Sequence, residues 1–63
     1  MPIIQVNLLK GRSPDVKRKY AADLTKMTCE NFDVTPDKVR IIFHDMEPHD
    51  IAVAGVLASD KKS

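Results

Sequence analysis

The 63-residue chain fits a single domain spanning residues 1–63, and a chain this short buries only roughly 60% of its unfolded surface, so its own core is marginal. Its one cysteine, Cys29, excludes an internal disulfide, which leaves self-association as the expected source of further stability. Its formal net charge of +1 and its short apolar runs argue against nucleic-acid and membrane partners.

The first predicted element is a strand over Ile3–Leu9, because this run is rich in β-branched and aliphatic residues. Gly11 ends the run. Alternate strand residues point to opposite faces, so one face carries Ile4, Val6 and Leu8. The other face carries Ile3, Gln5, Asn7 and Leu9.

A helix follows, beginning at Ser13-Pro14, since serine caps free backbone N–H groups and proline suits the first helical position. Asp15 adds negative charge near the positive end of the helix dipole. One apolar stripe recurs at helical spacing along it: Val16, Tyr20, Leu24 and Met27. The helix is predicted to end near Phe32, because residues that precede a proline such as Pro36 avoid helical dihedrals.

A second strand is predicted over 39–46, with Val39, Ile41 and Phe43 on one face and Arg40, Ile42 and His44 on the other. The short apolar segment 51–57 is interpreted as a hairpin or an edge strand that packs against a partner. The polar tail 59–63 is expected to be frayed.

The order strand, helix, strand predicts an α/β fold: a β-α-β unit with a parallel strand pair and a right-handed crossover helix. The helix covers one sheet face, while the other still carries Ile3, Leu9 and Ile42. A two-stranded sheet with a bare apolar face does not persist alone. We therefore expect this face to be buried against another subunit.

The first candidate for chemistry is Pro2, which becomes a terminal secondary amine if Met1 is removed. An unperturbed α-amino group has a pKa of about 7.7–8.0, which is close to neutrality. Partial burial and nearby guanidinium groups lower such a pKa further, towards the range that suits a general base. Many proteins begin with Met-Pro, so this feature does not identify a catalyst by itself.

Two arginines form the second candidate. Arg12 lies in the turn after the first strand, and Arg40 interrupts an otherwise apolar second strand. Guanidinium groups bind carboxylates bidentately, so the pair suits a small dicarboxylate, although each side chain could equally face solvent.

The remaining polar and nucleophilic residues favour structural roles. The loose cluster of His44, Asp45, His49 and Asp50 matches no common metal spacing, and no metal or other cofactor is predicted. Cys29 has no fixed histidine partner and is interpreted as packing. Tyr20 and Met27 are assigned to the core, and Lys61-Lys62 to a solvated tail.

Several short motifs occur in an order and spacing that resemble the short-subunit branch of the 4-oxalocrotonate tautomerase family over nearly the whole chain. They are Pro-Ile-Ile-Gln-Val at 2–6, Leu-Leu-Lys-Gly-Arg-Ser at 8–13, Val-Arg-Ile-Ile at 39–42, Asp-Met at 45–46, Ala-Gly at 54–55 and Leu-Ala-Ser at 57–59. Each motif is weak alone, and the signal comes from their combination in a short chain that starts with Met-Pro.

The resemblance implies a cofactor-free isomerase built as a homohexamer, a trimer of dimers. Pro2 matches the family's proline, which moves a proton in a dienol dicarboxylate such as 2-hydroxymuconate in aromatic degradation. Arg12 and Arg40 match the two arginines that hold the substrate carboxylates, and in the family these arrive from neighbouring subunits. Ile51 stands where the family commonly has a phenylalanine that walls the substrate site, and the segment 47–50 also departs from the family pattern.

Two alternatives stay open. The same Pro2 and arginines could hydrate or dehalogenate a small unsaturated acid, with Pro2 acting as a charged acid. The changes at Ile51 and 47–50 also permit an oligomeric binding module without catalysis. A cytoplasmic location is expected, because a lone thiol without an export signal is typical of a reducing compartment.

Overall fold

The computed structural model describes residues 1–61 and contains one helix and two pairs of strands. The strands are β1 (Ile3–Leu9), β2 (Arg40–Met46), β3 (Ala52–Val53) and β4 (Val56–Leu57), and the helix is α1 (Pro14–Phe32). β1 and β2 are parallel, with Ile3 opposite Arg40 and Leu9 opposite Met46. β3 and β4 form an antiparallel hairpin. The predicted β-α-β fold is confirmed, and the hairpin interpretation of 51–57 is the correct one.

The ends of α1 are fixed by the local signals that the sequence offers. The Ser13 hydroxyl accepts a hydrogen bond from the backbone N–H of Val16 at 3.3 Å, and Pro14 occupies the first turn. At the other end, Asp33 adopts a left-handed conformation and its N–H bonds to the carbonyl of Cys29. A short 3₁₀ turn, Pro36–Lys38, then leads into β2 and displaces the predicted start of that strand from Val39 to Arg40.

The packed side of α1 differs from the predicted apolar stripe. The less exposed positions of the helix are Lys17, Ala21, Leu24, Thr25, Thr28 and Cys29, and only Thr28 is buried, at 6% exposure. Of the predicted stripe, Val16, Tyr20 and Met27 are 53%, 47% and 58% exposed, so assigning Tyr20 and Met27 to the core was wrong for the single chain. Lys17, at the start of this series, lies over the Phe43 ring of the sheet at 5.9 Å from its centroid.

The opposite face of the β1-β2 sheet is bare, as predicted. Ile3, Leu9 and Ile42 on this face are 64%, 46% and 50% exposed. Among residues 1–61, no hydrophobic side chain is fully buried. The chain therefore has two largely exposed apolar surfaces: the bare sheet face, defined by Ile3, Leu9 and Ile42, and a helix ridge, defined by Val16, Tyr20 and Met27, of which Tyr20 also contacts the Phe43 ring at 6.3 Å between centroids.

The C-terminal segment is more ordered than the sequence predicts. Ala54 and Gly55 both have positive φ at the tip of the β3-β4 hairpin, as the tight primed turns of two-residue hairpins require. The turn Ala58–Asp60 follows and packs against the turn Pro48–Asp50, so predicting a frayed tail from Ser59 was wrong as far as Asp60. Lys62 and Ser63, which also belong to the predicted tail, lie outside the described residues. Within 1–61, no helix is long and apolar enough to cross a membrane.

Candidate active site

Pro2 lies beside the start of β2. The backbone N–H of Arg40 donates a hydrogen bond to the carbonyl oxygen of Pro2 at 3.0 Å, which is one of the two ladder bonds of the parallel pair Ile3 and Arg40. Pro2 is half-buried, whereas Met1 is 74% exposed. The fold therefore brings two of the predicted site residues, Pro2 and Arg40, to one end of the strand pair.

The Arg40 guanidinium is held against the turn that precedes β2. Its Nη1 donates to the carbonyl oxygen of Asp37 at 2.9 Å, and the side chain remains exposed. The Asp37 carboxylate accepts a hydrogen bond from the Thr35 hydroxyl within the same turn. No carboxylate of residues 1–61 lies within ion-pair distance of Arg40. Its other N–H donors are thus available to an anionic ligand.

Arg12 lies beyond the opposite end of the same strand. β1 runs from Ile3 to Leu9, which at the usual rise per residue separates its ends by roughly 20 Å. Arg12 is exposed and also lacks a carboxylate partner in the described part of the chain. A single chain therefore does not bring Arg12 to Pro2.

The side chain of Arg12 borders a cavity of about 220 Å³ between the sheet and the first half of α1. Its lining is mostly apolar and consists of Val6, Leu8, Arg12, Val16, Lys17, Tyr20 and Phe43. Lys17 bonds to Asp45 at 2.7 Å and lies 5.9 Å from the centroid of the Phe43 ring. This pairing neutralises Lys17 and leaves Arg12 as the unpaired cation at this cavity.

Ile51 is half-buried at the Arg12 end of the sheet, not at the Pro2 end. It borders a second cavity, of about 510 Å³, together with Leu9, Val53, Val56, Ala58 and Lys61. The preceding turn closes on itself, since the Asp50 carboxylate accepts from the backbone N–H of Glu47 at 3.2 Å. The predicted site residues thus form two groups, with Pro2 and Arg40 at one end and Arg12 and Ile51 at the other.

Lys38 is a further cation near the Pro2 end that the sequence does not single out. Lys38 is exposed and is the last residue of the turn Pro36–Lys38, two positions before Arg40 in the chain. Its proximity to Arg40 was the available signal, but a lysine in a predicted connection gives no reason to prefer it over any other surface lysine.

The described residues offer no cluster of metal ligands. Within residues 1–61, no three His, Cys, Asp or Glu side chains are grouped closely enough to hold a metal ion. His49 faces the Asp50 carboxylate at 3.7 Å, and Cys29 is half-buried on α1.

The chain has the short β-α-β fold of the family that its sequence resembles, and Pro2 lies beside Arg40. The family model described as "Tautomerase enzyme" matches residues 2–61. The chain therefore belongs to the tautomerase family. A protein named probable tautomerase from Halalkalibacterium halodurans is 33% identical over 61 residues, which cover 97% of this chain and 100% of that protein.

Solved structures agree in both fold and length. A chain from a study of the 4-oxalocrotonate tautomerase isozymes of Methylibium petroleiphilum has 41% identity and a TM-score of 0.89, covering 92% of this chain and 91% of that one. A chain from a study of a heterohexameric 4-oxalocrotonate tautomerase of Chloroflexus aurantiacus has 27% identity and a TM-score of 0.91, covering 98% and 100%. These neighbours support the 4-oxalocrotonate tautomerase branch of the family.

Proposed function

We propose that the protein is a cofactor-free, homohexameric tautomerase that ketonises dienol dicarboxylates of the 2-hydroxymuconate type, with the Pro2 amine as its proton carrier. The observation that carries the proposal is the 3.0 Å hydrogen bond from the Arg40 backbone to the Pro2 carbonyl, which makes the candidate base and the residue that carries an unpaired guanidinium neighbours at one strand end. The proposal requires removal of Met1, and its 74% exposure leaves it open to a processing enzyme.

The proposed chemistry transfers one proton and leaves the composition of the substrate unchanged. Neutral Pro2 takes the enol proton, the O–H electron pair forms the carbonyl, and the conjugated double bonds shift by one position. The protonated amine then returns its proton to the carbon at the end of the shifted system, which restores neutral Pro2. Arg12 and Arg40 bind the two carboxylates and stabilise the negative charge that develops on the oxygen.

Assembly is part of the proposal because one chain separates Pro2 from Arg12. The bare sheet face and the helix ridge lie on different sides of the subunit, so two kinds of interface are needed to cover them. A two-fold interface through one surface and a three-fold closure through the other generate a closed hexamer. In that arrangement Arg12 and Ile51 of a neighbouring protomer meet Pro2. A cytoplasmic location completes the proposal and rests on the lone thiol of Cys29.

The first test is ultraviolet-monitored ketonisation of 2-hydroxymuconate by protein whose intact mass shows that Met1 has been removed. Pro2→Ala replaces the ring-constrained secondary amine with a flexible primary amine, so it is expected to lower kcat by at least about tenfold while the hexamer persists by sedimentation velocity. Pro14→Ala, which changes an exposed proline outside the candidate site, serves as the control and is expected to retain activity. Full activity of Pro2→Ala would refute the assigned role.

The pH profile separates the proposal from the hydratase or dehalogenase alternative. A general base must be neutral, so kcat/KM for ketonisation is expected to fall as pH drops below the pKa of the Pro2 amine. A proline that acts as an acid must be charged, so the corresponding profile would fall as pH rises. Absence of turnover with either substrate class, in protein lacking Met1, would favour the binding module.

A further inference from the structure

The Arg40 guanidinium is not alone at its end of the strand pair. Its Nη1 donates to the Asp37 carbonyl at 2.9 Å, and that carbonyl belongs to the peptide unit that joins Asp37 to Lys38. The backbone of Lys38 is therefore directly adjacent to the guanidinium. Both side chains are exposed, so the ammonium and the guanidinium can approach the same ligand from one short segment.

Neither of these cations is neutralised by the described part of the chain. The ion pairs within residues 1–61 use other basic residues, namely Lys10, Lys17, Arg18, Lys19 and His49. The closest carboxylate in sequence, Asp37, is engaged by the Thr35 hydroxyl instead. A doubly positive segment thus lies beside β1 where the Arg40 backbone contacts Pro2.

We propose that Lys38 is a third substrate-binding cation, which shares one carboxylate with Arg40 and makes the site selective for substrates that carry two carboxylates. This inference rests on the proposed function and attributes the selectivity for dicarboxylates to one residue, Lys38. Arg40 supplies planar, directional hydrogen bonds, and Lys38 adds a compact point charge on a flexible stem. With Arg12 at the second carboxylate, the site matches a dianion better than a monoanion.

The positive charge of Lys38 and Arg40 also affects the pKa of the Pro2 amine. A cation close to an amine disfavours its protonated form and so lowers the amine pKa. Loss of the Lys38 charge is therefore expected to raise the pKa of the Pro2 amine. Because the base must be neutral, the acidic limb of the kcat/KM profile should then move to higher pH.

Steady-state kinetics of Lys38→Ala with two substrates test the inference: 2-hydroxymuconate and an aryl enol acid with a single carboxylate. Lys38→Ala is expected to raise KM for the dicarboxylate about threefold to tenfold, as loss of one charged contact does, with kcat little changed. KM for the monocarboxylate should change by less than about twofold, because Arg12 can hold its only carboxylate. The acidic limb should move to higher pH.

Two further variants control the experiment. Lys38→Arg keeps the charge and is expected to restore both KM and the position of the acidic limb. Lys26→Ala removes another exposed lysine that has no ion pair within residues 1–61, and it should behave as wild type. The inference is overturned if the KM values of Lys38→Ala match those of Lys26→Ala, or if Lys38→Ala raises KM for both substrates by the same factor.

A binding measurement keeps the inference separable from the proposed function. If the wild-type protein turns over neither substrate, the proposed tautomerase activity fails, but calorimetric titration with muconate still reports on the cations. Muconate is a conjugated dicarboxylate that cannot ketonise. Weaker muconate binding by Lys38→Ala than by Lys26→Ala would support a carboxylate-binding role for Lys38, and equal binding would overturn it.

Discussion

Mixing two inactive variants tests whether the site is shared between protomers. Pro2→Ala lacks the proline amine but keeps Arg12, and Arg12→Ala lacks the guanidinium but keeps Pro2. Each variant alone is expected to have little activity. Unfolding both together and refolding them produces mixed assemblies, in which an intact Pro2 of one protomer can face an intact Arg12 of another.

The expected recovery follows from the separation of the two residues. β1 places them at opposite ends of a strand roughly 20 Å long, which no arginine side chain bridges. If each site takes its Pro2 and its Arg12 from different protomers, random assembly of an equal mixture leaves both residues intact in about one quarter of the sites. Activity per site should therefore return to about one quarter of the wild-type value.

The assay is 2-hydroxymuconate turnover by the refolded mixture, with mixed assemblies verified by native mass spectrometry. A mixture of either variant with the double variant Pro2→Ala/Arg12→Ala contains no site with both residues intact, and it sets the background. Recovery no greater than this background, in verified mixed assemblies, would show that Pro2 and Arg12 do not combine across protomers. The composite site would then be wrong.

Two other substitutions address assembly and helix initiation. Ile42→Asp puts a charge on the bare sheet face and is expected to dissociate the oligomer because an unpaired buried charge is costly, whereas Ile42→Val should remain assembled by sedimentation velocity. A hexamer of Ile42→Asp would mean that this face stays open to solvent. Ser13→Ala removes the hydroxyl that caps the Val16 N–H and should cost about 1 kcal/mol, or roughly 4–8 °C in Tm by calorimetry, while Ser13→Asn should retain the cap. An unchanged Tm for Ser13→Ala would contradict the capping role.

Much of the fold could be predicted because its signals are local. The Ser13-Pro14 start, the alternation along Ile3–Leu9 and the spacing of two strands around one helix each have a short-range cause. The packed side of α1 could not be predicted in the same way. Periodicity places Tyr20 and Ala21 on neighbouring lines of the same helix, but it does not say which line lies against the sheet when both a sheet and a partner compete for apolar surface.

The candidate site also depends on features that the sequence alone does not give. Pro2 and Arg40 could be paired only once the parallel register was known, because 37 positions separate them in the chain and a one-residue slip would turn Arg40 to the other face. Arg12 and Ile51 are far from Pro2 within one chain, so their role depends on how copies assemble. The proposed role of Lys38 depends on the hydrogen bond between Arg40 and the Asp37 carbonyl, and no sequence pattern predicts that bond.

In the proposed hexamer, stability and catalysis have the same structural requirement. The described chain buries no hydrophobic side chain fully, so association must supply the core that a single copy lacks. The same association is what brings Arg12 to Pro2 in the proposed site. Loss of assembly should therefore always abolish activity, as expected for Ile42→Asp. Loss of activity need not affect assembly, as expected for Pro2→Ala. This one-way dependence distinguishes a site built between subunits from a site that is complete in each subunit.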